Sequence, residues 1–109
     1  MKKISVALLL LTATPNFAAF FSGNELFQWL DNDIHGVETY EGGLAKGYIM
    51  GIFDIQSSSL PAHLCIPAGI SALKLKMVVY EYLQNNPELK SAPANKLVYQ
   101  AFEKNWSCQ

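Results

Sequence analysis

The chain has 109 residues, half of them hydrophobic, with eight basic residues, all lysine, nine acidic residues and a formal net charge of −1. That length is enough for one domain. A chain with no arginine and a slight acidic excess lacks the basic footprint a nucleic-acid binder needs.

The first stretch reads as a secretory signal peptide. Lys2 and Lys3 precede an apolar run, Ile4 to Thr12, of nine residues. A run that short does not cross a bilayer as a stable helix, which argues against an uncleaved membrane anchor. Pro15 breaks the run, and Ala18 and Ala19 supply small residues for cleavage after one or the other, although the −3 position is Asn16 or Phe17. No cysteine follows the apolar run, so no lipoprotein anchor is expected. A cut after Ala19 leaves residues 20–109 as a single domain, with six lysines against nine acids and a net charge of −3. An acidic exported domain is suited to a basic partner.

Ser22-Gly23-Asn24-Glu25 is a capping box, so a short helix is expected from about Gly23 to Asp31. Leu26, Phe27, Trp29 and Leu30 give it an apolar face. Trp29 is read as a packing residue in preference to a binding anchor. The polar run Asp31 to Gly36 separates it from a second helix, expected over Val37 to Ile55. Asp31 and Asp33 lack the twelve-residue pattern of a calcium loop. Gly43, Gly47 and Gly51 recur every fourth residue and fall in one groove of that helix. Each internal glycine costs about 1 kcal/mol against alanine. The expected compensation is a neighbouring helix lying close against the bare backbone. A strand over Tyr48 to Ile55 is the alternative, disfavoured by the four-residue spacing.

Gln56 to Ile70 is the longest connection and holds Ser57-Ser58-Ser59, Pro61, Pro67 and Gly69. A connection of that length in a small domain is usually functional or disordered. Its middle puts Leu60, His63 and Leu64 where solvent is expected. Two readings stay open: a partner-contacting surface, or Leu60 and Leu64 folding back onto the core. Ser71 is the expected cap of a third helix, Ala72 to Asn85, with Leu73, Met77, Val78 and Leu83 inward. Asn85-Asn86-Pro87 ends it. Ser91 is the expected cap of the last helix, with Pro93 in its first turn and Leu97, Val98, Ala101 and Phe102 as its inner stripe.

Cys65 and Cys108 are the two cysteines. In an exported chain they read as one disulfide. Closing a loop of about 44 residues stabilises by about 4 kcal/mol in the chain-entropy model. The rival is a zinc site with His35 and His63, but the spacing matches no zinc pattern. No metal or cofactor is expected. Nor is catalysis: Gly-x-Ser-x-Gly, a phosphate-binding glycine loop and His-Glu-x-x-His are all absent. The acids Glu38 and Glu41 share a helix face, but exposed acids rarely split their pKa values. The fold class expected is all-α: a compact bundle of about four helices tied by Cys65–Cys108.

The order of motifs adds a resemblance. It runs from Ser22-Gly23-Asn24-Glu25-Leu26 through Tyr40-Glu41-Gly42-Gly43-Leu44-Ala45-Lys46-Gly47-Tyr48-Ile49-Met50-Gly51 to Cys65-Ile66-Pro67 and Gly69-Ile70-Ser71. It continues with Val78-Val79-Tyr80-Glu81-Tyr82-Leu83, Asn86-Pro87-Glu88, Pro93-Ala94, Leu97-Val98 and Trp106-Ser107-Cys108. This resembles the Rap/Tai family of type VI secretion immunity proteins. The departures are Trp106-Ser107, where a proline often precedes the last cysteine, and the serine run in the long connection. The resemblance implies a periplasmic all-α protein, often a homodimer. It also implies a partner, a secreted peptidoglycan-cleaving amidase effector whose catalytic cleft the protein occupies. The contact residues expected are Ser58, Ser59, Leu60, His63 and Leu64, with His63 placed to hydrogen-bond a catalytic cysteine or histidine. The alternative from another class is a periplasmic acid-stress chaperone, which needs many carboxylates that protonate together.

Overall fold

A computed structural model describes residues 19–58 and 64–108. The expected signal peptide, apart from Ala19, lies outside the described residues, as do Ser59, Leu60 and His63. The described residues form four α-helices: α1 (Gly23–Ile34), α2 (Tyr40–Ser57), α3 (Ala72–Asn85) and α4 (Ala94–Trp106). A 3-10 turn, Pro87–Leu89, lies between α3 and α4. Each helix touches the other three, which makes a bundle around one core. The expected all-α fold with a Cys65–Cys108 disulfide is what is found.

α1 begins on the capping box. The Glu25 N–H donates to Ser22 Oγ at 3.3 Å, and the Ser22 N–H donates to Glu25 Oε1 at 2.9 Å. Two further N–H groups, which a helix start leaves unpaired, are met from across the fold. Gly23 N–H donates to the Ala92 carbonyl at 2.9 Å, and Asn24 N–H to Lys90 at 2.7 Å. This close approach explains Gly23. A Cβ there would sit 2.7 Å from the Lys90 carbonyl oxygen and collide with Leu97. Leu26 and Leu30 are buried, and Trp29 is half-buried, edge-on to Phe21 at 5.1 Å, a packing residue as expected. The helix runs one turn past Asp31, to a C-cap at His35.

α2 starts at Tyr40, three residues later than Val37, because Gly36 takes a left-handed φ of +83° and Thr39 supplies the cap. The Thr39 hydroxyl accepts from the Gly42 N–H at 3.0 Å. α3 has its expected bounds, and Ser71 Oγ accepts from the Lys74 N–H at 3.1 Å. Its inward face is rotated from the expected one: Leu75 is buried, whereas Leu73 is 62% exposed. Leu75, Val78, Val79 and Leu83 form the 3.6-residue stripe, and Leu73 falls off it.

The start of α4 corrects the expected cap. Ser91 is not the N-cap; Pro93 is, and it makes no side-chain cap hydrogen bond. The donor at Ala94 is satisfied by the Phe21 carbonyl at 2.8 Å, and Ser22 and Pro93 form an antiparallel bridge. The segment before α1 thus takes the place of a cap side chain. Leu97, Val98, Ala101 and Phe102 are buried as expected, with Phe102 edge-on to Phe53 at 5.9 Å.

Candidate functional site

The connection between α2 and α3 is the expected contact element, and both its ends are anchored. At one end Ser58 is the exposed C-cap of α2, its hydroxyl donating to the Asp54 carbonyl at 2.8 Å. At the other end Leu64 is only 7% exposed and forms an antiparallel bridge with Ser107. The Cys65 N–H donates to the Trp106 carbonyl at 2.7 Å, and the disulfide to Cys108 locks the same place. Leu64 is therefore a core residue, which corrects its assignment to the partner surface. For this leucine the fold-back reading wins. Its burial beside the C-terminal end of α4 removes an apolar side chain from water.

The glycine expectation is also corrected. Gly43, Gly47 and Gly51 are exposed, and a Cβ built on any of them meets nothing within 4 Å. Among the described residues no helix lies against them. α2 buries Ala45 and Ile49 and turns the glycines outward, beside Tyr40 at 78% exposure and Met50 at 40%. Nothing in the sequence distinguishes a glycine that admits a neighbour from one that faces water. Gly23, which does admit one, lies outside the regular spacing.

The strongest electrostatic feature was not singled out from the sequence. Asp33, near the end of α1, is 10% exposed and receives two lysines. Lys76 Nζ of α3 donates to Oδ2 at 2.8 Å, and Lys46 Nζ of α2 donates to Oδ1 at 3.1 Å. The Lys76 hydrogen bond, opposed in part by burial, holds the Asp33 carboxyl below its ordinary range. Beside it the Tyr80 hydroxyl donates to Asp31 Oδ1 at 2.6 Å, and that hydrogen bond, with burial, pushes the phenol up. The Tyr80 ring stacks on Phe27 at 5.3 Å, and Lys90 Nζ lies 3.5 Å above the Phe27 ring. These groups are structural. All are satisfied within the fold.

A cleft of about 290 Å³ between α3 and α4 is lined by Val78, Glu81, Tyr82, Asn85, Asn86, Lys104 and Asn105. None of these described lining residues is a histidine, cysteine or serine that a neighbouring base could activate. Among the described residues no three His, Cys, Asp or Glu side chains group to hold a metal ion. No helix among them is long and apolar enough to cross a membrane.

A family model described as Rap1a immunity proteins matches residues 22–108. That span begins at the α1 cap and ends on the second disulfide cysteine. No curated protein matches the chain.

Proposed function

The chain belongs to the Rap1a immunity protein family, and from that premise we propose that it is a periplasmic inhibitor of a peptidoglycan-cleaving amidase effector of type VI secretion. Family membership carries an immunity role against a secreted effector. The proposal adds the compartment, the class of effector and the mode of action. It includes export by a signal peptide cut after Ala18 or Ala19, and a homodimer, as the motif resemblance implies.

The observation that carries the reading is the Cys65–Cys108 disulfide at the base of the α2–α3 connection. Disulfides persist in oxidising compartments, which supports export. Between Ser58 and Leu64 the chain departs from one anchored point and returns to another. A segment held at both ends loses less freedom on docking than a free one, which supports its use as the contact element. Leu60 and His63 are proposed to enter the effector's cleft, with Ser58 and Ser59 at its rim. No residue of this chain is assigned a catalytic role; inhibition would come from excluding substrate and water.

The rival chaperone reading needs structural carboxylates that release together in mild acid. Asp33 is one such group, held charged by Lys76, but a single carboxylate does not make a concerted release. The test asks whether the adjacent gene encodes a secreted Cys-His amidase, and titrates that product calorimetrically with the native chain and with Leu60→Ala and His63→Ala variants. Native Leu64 is kept, since it packs in the core. Tight binding, weakened by either substitution at unchanged melting temperature, supports the proposal. Unaltered affinity removes the connection from the mechanism.

A further inference from the structure

We propose that the Cys65–Cys108 disulfide is a surface clasp, open to exchange with a dithiol reductant in the folded protein. Its opening releases Leu64–Ile70 and the end of the chain while the four helices stay packed.

Three observations carry it. Both cysteines are exposed, so an attacking thiolate reaches the sulfurs without prior unfolding. The bond joins two extended segments and not two helices: Ser107 has φ −65° and ψ 144°, so α4 has ended before Cys108. Last, the clasped segments supply only a small part of the core. Among the described residues, Leu64 is the one buried hydrophobic side chain outside a helix. Besides the disulfide, the two segments are joined by the Cys65 N–H bond to Trp106 and the Leu64–Ser107 bridge. Ile66 and Ile70 are only partly buried against the helices. Trp106 closes α4 with its ring on Phe102 at 5.8 Å, an anchor that needs no cysteine.

The exchange balances as thiol–disulfide chemistry. A thiolate of the reductant attacks one protein sulfur, and the other leaves as a thiolate and takes a proton. The reductant's second thiol displaces the mixed disulfide, freeing the second protein thiol and leaving the reductant oxidised. Two electrons pass from the dithiol to the protein.

The test treats the processed chain with dithiothreitol without denaturant, traps thiols with iodoacetamide and follows amide exchange by mass spectrometry. A Cys65→Ser/Cys108→Ser variant runs in parallel. The result expected is alkylation of both cysteines and retained far-ultraviolet helix dichroism. Amides in peptides covering 64–70 should then exchange at least about tenfold faster, while α1 to α4 remain protected on the same timescale. Thiols that appear only in denaturant overturn the proposal. So does a reduced chain that loses its helices, or one whose 64–70 peptides keep their protection.

Discussion

Lys76 Nζ sits 2.8 Å from Asp33 Oδ2, joining the end of α1 to the outer flank of α3 at a point from which water is largely excluded. Lys46 of α2 completes the cluster at 3.1 Å, so one carboxylate ties three helices. Removing it strands Lys76 in a half-closed site. Asp33→Asn should lower stability by about 1–2 kcal/mol, the range for hydrogen bonds to charged groups, discounted because Lys46 is well solvated. Urea unfolding at neutral pH measures it.

The same cluster sets an acid limit. Asp33 has a folded-state pKa below its unfolded value. Its contribution is therefore complete above the ordinary aspartate value, about pH 4, and fades as pH falls through the lower folded value. Native protein should lose stability below about pH 4, and Asp33→Asn should flatten that part of the curve. Equal acid sensitivity in both proteins would assign the loss to other carboxylates.

Tyr80 gives the alkaline counterpart. Its phenol is pushed up by donation to Asp31 and by burial. The folded state therefore resists its ionisation, and the contribution is lost as pH rises past the ordinary tyrosine value, about pH 10. Tyr80→Phe should cost about 1 kcal/mol at neutral pH while keeping the stack on Phe27. Spectrophotometric titration should show one late-titrating tyrosine fewer.

Alanine at the glycines should give opposite signs. At Gly23 the new Cβ meets Leu97 and the Lys90 backbone, so Gly23→Ala should destabilise by about 1–3 kcal/mol. At Gly43, Gly47 and Gly51 it meets open space, so each alanine should stabilise by about 0.5–1 kcal/mol. Melting curves decide both. Sedimentation of the same variants reports whether a second copy uses that face, since association would then weaken as the monomer gains stability.

The disulfide and Leu64 make coupled contributions, because the clasp sits beside the Leu64–Ser107 bridge. Cys65→Ser/Cys108→Ser should lower the melting temperature by about 20 °C, from about 4 kcal/mol of lost chain restriction in a domain this size. Leu64→Ala, which empties a core site beside Ser107, should cost about 2–4 kcal/mol with the disulfide intact. An unchanged melting point for Leu64→Ala would return that side chain to the surface.

Local signals determined much of this protein. Ser22 with Glu25, and Ser71 before its apolar stripe, mark helix starts through bonds made within four residues, and these were legible. So were the inner stripe of α4 and the pairing of the two cysteines, because each follows from period or from count. What the tertiary structure alone decided lies where partners are distant in the chain. The Phe21 carbonyl takes over the cap at Ala94 that Ser91 was expected to provide. Lys90 makes Gly23 obligatory, and the glycines of α2 are left facing solvent. Asp33 gathers lysines from two other helices, and Leu64 enters the core. Spacing tells which residues share a face of a helix. Only the packing of helix against helix tells which face is turned inward, because that depends on contacts no single segment contains.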